Sequence, residues 1–309
     1  MTEALTPYVR QAREHPSYRW WRLPLAGLAL LPIFAVASLL VFGAAWLVAP
    51  GPVDHFMASK DPQLNVHSNP VVLAMGLASI AVLLPAVRLA VLVTGPRPVG
   101  HLSSVYGRIR WAWLARALGV ALVVMFVSIL ILTLVIDPTP VKIPNHRMVV
   151  DIGIVILLTP FQAAAEEYIF RGYLMQLVGS WTRRAWLPVA VSVPLFAAAH
   201  GYSRWGTVDV GIFALTVSVL VIRTGGLEAG IGLHIANNVT LAVLEAFGLV
   251  DTSDKGTGPL DVLPTIVTSL IFVALIEVMF RRSGLHRGRL RAKTAGDSPL
   301  GWAGEPAPL

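Results

Sequence analysis

Of 309 residues, 55% are hydrophobic and only 13% charged, and mean hydropathy is +0.70. A soluble domain carries roughly 25% charged residues, so a water-soluble enzyme is excluded and a polytopic membrane protein remains. The net charge of +7 does not mark a nucleic-acid binder, because the basic residues sit at the ends of apolar runs, against anionic lipid headgroups.

A basic segment, 1–23, opens the chain with Arg10, Arg13, Arg19 and Arg22. The apolar run 24–49 follows. It is too long for a signal-peptide core of roughly 7–15 residues and long enough for a bilayer that needs about 20. Further apolar runs at 70–94, 117–136, 148–178, 185–200, 208–223, 226–249 and 260–280 predict an all-α protein with eight transmembrane helices around a membrane-embedded polar cavity. The fifth and sixth are short and are expected to be tilted or partly re-entrant. Breaks such as Ala49-Pro50-Gly51-Pro52 and Asp137-Pro138-Thr139-Pro140 carry turn chemistry. The chain divides into three helices within 24–147, a four-helix core at 148–249, a loop and eighth helix at 250–282, and a tail, 283–309, expected to be disordered. There is no internal repeat.

Lys and Arg are unevenly shared among the connections. The N-terminal segment, the second connection (Arg97, Arg108, Arg110, Arg116), the fourth (Arg183, Arg184) and the tail are rich in them. The positive-inside rule places that set, and both termini, in the cytoplasm. With Arg183 and Arg184 there, Glu166 and His200 are expected in the outer half of the bilayer. His234, about 13 Å from the cytoplasmic end of its helix by rise per residue, is expected nearer the middle.

No cysteine is present, which removes disulfides, thiolate zinc sites, iron–sulfur clusters and a cysteine nucleophile. Chemistry rests on three polar clusters in apolar surroundings. Ionisable residues there usually face a cavity and carry function. In the fourth span, Glu167 and Arg171 are four apart with the acid first, the better order for an ion pair. Glu166, turned about 100° away, shares a face with Gln162 and Phe170 and is left to work. Ala163-Ala164-Ala165 and Ala197-Ala198-Ala199 flank Glu166 and His200; small residues let helices approach closely, which is expected to bring that carboxylate and imidazole together. His234 and Asn238 project from one face of the seventh helix and can donate hydrogen bonds to an oxyanion. Asn237 lies on a neighbouring face. Glu166 and His200 would activate water. A zinc version stays open, since Glu166, His200 and His234 are a two-His-one-carboxylate set.

These motifs, Glu-Glu-x-x-x-Arg at Glu166, Glu167 and Arg171, Phe-x-x-x-His at Phe196 and His200, and His-x-x-x-Asn at His234 and Asn238, resemble those of the CPBP intramembrane proteases, the CAAX-protease and bacteriocin-processing (Abi) family. The resemblance covers about 148–249. It implies a helical fold with a membrane cavity and glutamate-dependent endopeptidase activity. Glu166 and His200 would activate water, with His234 and Asn238 as oxyanion groups; zinc, if held, would take Glu166, His200 and His234. The substrate would be a membrane-associated peptide or protein. The Ala, Trp and Arg-rich composition looks bacterial, which favours a plasma-membrane location and a leader peptide or membrane segment over a prenylated CAAX protein.

Two other readings compete. One is a non-catalytic scaffold or bacteriocin-immunity protein of the same fold, which needs none of Glu166, His200, His234 and Asn238. The other is a transporter with Glu166 as proton site, which predicts an inverted repeat. His-Glu-x-x-His, Gly-x-Ser-x-Gly, Gly-x-Gly-Asp and a phosphate-binding loop are absent from the sequence.

Overall fold

The computed structural model describes residues 5–16, 18–59, 69–95, 98–135, 142–250 and 258–290. Within them the chain is almost wholly helical: α1 (Arg22–Val48), α2 (Pro50–Ala58), α3 (Pro70–Thr94), α4 (Trp111–Val135), α5 (His146–Trp181), α6 (Trp186–Ala198), α7 (Arg204–Thr224), α8 (Glu228–Ala246) and α9 (Leu263–Arg282). Local chemistry sets several boundaries. The Asn69 side chain accepts from the Val71 amide at 2.8 Å and that of Asn145 from the Met148 amide at 3.0 Å, capping α3 and α5. Pro50 and Pro70 stand at helix starts, where no amide is needed.

Six of these helices are long and apolar enough to cross a membrane: α1, α3, α4, α5, α7 and 259–282. The expected count of eight is therefore not reached on length and composition. Of the other two, α6 has 13 residues, about 20 Å at 1.5 Å per residue, short of a hydrocarbon core of roughly 30 Å. The second, α8, is lowered in hydropathy by its polar residues, among them His234, Asn237 and Asn238.

Helix α8 lies at the centre of the bundle, packed on α4, α5 and α7, and every residue from Glu228 to Ala236 is buried. In contrast, α1 turns Leu28, Leu31, Leu39 and Leu40 outward, as a lipid-facing helix does. At 36 residues, α5 is about 54 Å long, well over one bilayer thickness. Between Tyr168 and Leu174 it widens into a π-helical turn, a feature often found at functional sites.

The surplus length of α5 is wrapped by polar chain. A 3₁₀ segment, Tyr8–Glu14, packs along its last turns. There Gly179 touches the Val9 backbone so closely that a Cβ would lie 2.3 Å from the Val9 carbonyl oxygen. Arg10 and Arg13 donate to the carbonyls of Thr182 (2.8 Å) and Ser180 (3.0 Å), satisfying the exposed end of the helix. Nearby, the Tyr173 hydroxyl donates to the Leu23 carbonyl and the Gln176 amide to that of His101. Strand β1 (Leu5–Pro7) pairs antiparallel with β2 (Gly288–Leu290). The start of the expected disordered tail is thus ordered, because its backbone finds a strand and Arg287 an ion pair with Glu277 at 2.5 Å. Residues 291–309 lie outside the described residues.

This basic end corrects the expected depths. The segment 99–105 packs against α5 at Tyr168 and Gly172: the Ser103 and Tyr168 hydroxyls are 2.5 Å apart, and a Cβ on Gly172 would lie 3.2 Å from the Leu102 carbonyl oxygen. Glu166 is two residues from Tyr168 and six from Gly172, about 3 to 9 Å from that level, and its Oε2 lies 3.6 Å from His234 Nε2. His234 is six residues from Glu228, whose carboxylate holds Arg110 at the same end. Carboxylate and imidazole therefore share one depth. The expected depth of Glu166 is counted from the connection that carries Arg183 and Arg184, and α5 runs nine residues beyond Gly172 before it reaches that connection.

Candidate active site

The centre of the site is a chain of side chains between α5 and α8. One oxygen of Glu167, Oε1, accepts from the Arg171 guanidinium at 3.1 Å and from His234 Nδ1 at 2.8 Å. Glu167 and Arg171 are completely buried. A second guanidinium nitrogen of Arg171 donates to the Ala214 carbonyl of α7 at 3.1 Å, and its carbon lies 4.3 Å from the Phe196 ring centroid. The ion pair expected from spacing is present, and it has a further partner. Glu167 holds His234 by Nδ1, so Nε2 is the imidazole atom turned to the working side.

That atom lies 3.6 Å from Glu166 Oε2, beyond hydrogen-bond length. The other carboxylate oxygen of Glu166 is fixed by the Gln162 amide at 2.6 Å, and Gln162 in turn accepts from Asn238 at 3.2 Å. Asn237 donates to Asn238 at 3.0 Å. His234 and Asn238 do project together, as predicted, and both face α5. Asn238 reaches Gln162, a buried residue whose bridging position the sequence reading had not assigned. Only its spacing of four from Glu166 pointed to it.

His200 follows the end of α6. Its Nδ1 is 2.8 Å from the Phe196 carbonyl, an acceptor only, which puts the proton of a neutral ring on Nδ1 and leaves Nε2 a base. The Phe196 ring packs on His200 at 4.5 Å and on His234 at 6.0 Å between centroids. Ala163 and Ala165 are buried in a helix that packs on α3 and α8, while α6 packs on the π-turn and the last turns of α5. The imidazole opposite Glu166 is His234.

The zinc reading fits poorly. Among the described residues no group of three or more His, Asp or Glu side chains gathers closely enough to hold a metal ion. Glu166 and His234 converge, but His200 does not join them as a third donor.

Two carboxylates, a guanidinium and an imidazole are gathered between apolar helices, an internal polar site in an integral membrane protein. Residues 148–240 match the family described as Type II CAAX prenyl endopeptidase Rce1-like. All of Glu166, Glu167, Arg171, His200, His234 and Asn238 lie within the match. That match agrees with the resemblance of the motifs to the CAAX-protease (CPBP) family. Over 279 residues the chain is 22% identical to "Uncharacterized protein YyaK" of Bacillus subtilis (strain 168), covering 82% of this chain and 90% of that one. No solved structure matches.

Proposed function

We propose that the protein is an intramembrane endopeptidase that cleaves a peptide bond in a membrane-associated peptide or protein, with Glu166 activating water. The observation that carries this reading is the facing of Glu166 Oε2 and His234 Nε2 at 3.6 Å, each held from behind, by Gln162 and by Glu167. A water resting against both atoms meets a proton acceptor and an imidazole at once. Glu166 takes its proton as the oxygen attacks the carbonyl, and the Asn238 amide donates to the oxyanion, joined by His234 Nε2 when the ring carries a proton on both nitrogens. The protonated Glu166 then gives that proton to the departing amine as the C–N bond breaks, and His200 assists the activation of water. Holding both partners rigidly lowers the reorganisation needed in the transition state. No step is assigned to a metal ion.

In this reading α6 and α8 are embedded beside the six long helices, giving eight, with the basic end in the cytoplasm of a bacterial plasma membrane. The family description names prenyl CAAX substrates; a leader peptide or membrane-protein segment is proposed here instead. The same bonds would also serve a purely structural polar clamp, which is the scaffold alternative. Comparison of membrane peptides from cells making wild-type or Glu166→Gln protein separates the two. The protease reading expects fragments present with wild type and absent with the variant. Identical peptide sets, with both proteins inserted at equal levels, would support the scaffold.

A further inference from the structure

At the basic end, Arg13, Tyr18, Arg19, Trp20 and Trp181 line an open cavity of about 440 Å³. It lies between the residues that lead into α1 and the end of α5, two helices long and apolar enough to cross a membrane. Trp20 is 66% exposed and Trp181 52%, at opposite sides of the opening. Indoles at such a position belong to the headgroup level of a bilayer, where an apolar ring and a polar N–H are both satisfied.

The two arginines are anchored but not neutralised. One terminal nitrogen of Arg13 donates to the Ser180 carbonyl at 3.0 Å, and one of Arg19 to the Tyr18 carbonyl at 2.8 Å. A guanidinium has five N–H donors, so most remain. The ion pairs formed among the described side chains involve neither residue. Arg183 and Arg184, both exposed, add positive charge at the same rim. Next to the lining residues in the chain, Trp21, Leu25 and Leu28 are exposed at spacings of four and three, on one face of the start of α1. A cationic cup beside an apolar stripe matches a phosphodiester above acyl chains.

We propose that this cavity binds an anionic phospholipid, its phosphodiester between Arg13 and Arg19 and its acyl chains along Trp21, Leu25 and Leu28. Guanidinium and phosphate pair bidentately, and basic pockets beside transmembrane helices suit anionic headgroups. The lipid ties the Tyr8–Glu14 segment, which carries Arg13, to the membrane surface. The site is separate from the Glu166 centre and does not depend on the protease reading.

The test is native mass spectrometry of the full chain, delipidated and then titrated separately with phosphatidylglycerol, phosphatidylcholine and inorganic phosphate. Wild type is expected to retain phosphatidylglycerol well over phosphatidylcholine, and millimolar phosphate is expected not to displace it. Each arginine near an anionic surface is worth roughly fivefold in binding, so Arg13→Ala with Arg19→Ala should lower retention by about 25-fold. Arg13→Lys with Arg19→Lys, which keeps the charges, should keep much of it. Equal retention of the two lipids by wild type overturns the proposal whether or not the variants fold. So does unchanged retention in a folded double-alanine variant, or displacement by free phosphate, which would mark a site for soluble anions.

Discussion

Glu167 binds the site together at the scale of single residues, since one of its oxygens serves Arg171 and His234 at once. Removing one partner of a buried ion pair leaves an uncompensated charge and costs about 3–5 kcal/mol. Glu167→Ala should therefore lower the melting temperature and also release His234; thermal unfolding in detergent checks the first and turnover the second. A variant that melts with wild type would place Arg171 in other hands. Gln162→Leu tests the second support. It removes the donor that fixes Glu166, so kcat should fall by tenfold or more while KM changes little, because substrate contacts remain. The Glu167–Arg171 pair was legible in the sequence, as residues four apart on a helix must meet. The bonds to His234 and from Asn238 were not. They join residues 67 and 76 apart, which only helix packing brings together.

At the level of elements, a small-residue stripe does not say which neighbour it admits. Ala163 and Ala165 are buried in a helix packed on α3 and α8, whereas Ala198 and Ala199 are exposed, and His234, which faces Glu166, lies on α8. All eight apolar runs became helices, since length and hydropathy are local properties. Neither the π-turn after Glu167 nor the strap along the end of α5 shows in periodicity, since both arise from what packs outside the helix. The strap makes its own prediction. At Gly179 an added side chain would strike the Val9 carbonyl, and overpacking of this kind costs about 1–3 kcal/mol. Gly179→Val should lower the melting temperature and expose the N-terminal segment to protease. Unchanged cleavage there would show that the strap is held by other contacts.

The whole molecule is a bundle with one basic end, built from the N-terminal segment, the 99–110 connection, the α7–α8 turn and the 283–290 segment. At that turn Gly225 has φ of +68° and meets the Arg287 carbonyl, so the segments are closely joined. Because the sequence contains no cysteine, single substitutions can report sidedness. Arg183→Cys should react with an impermeant maleimide only from the cytoplasm, and Met57→Cys, beyond the far end of α1, only from outside; the reverse pattern would invert the topology. Since Glu166, His200 and His234 do not gather as a ligand set, turnover is also expected to survive chelation. Activity lost on stripping and restored by zinc would overturn that.

The central claim is that the Glu166 carboxylate activates water beside His234. Its most direct test is the turnover of purified Glu166→Gln enzyme against wild type in proteoliposomes, on a peptide identified from the membrane comparison. Gln preserves shape and the contact with Gln162 but cannot accept a proton as a base. Loss of a general base typically lowers rate by about 10²–10⁴, and that drop is expected with the melting temperature held near wild type. Turnover within a few-fold of wild type would contradict the account.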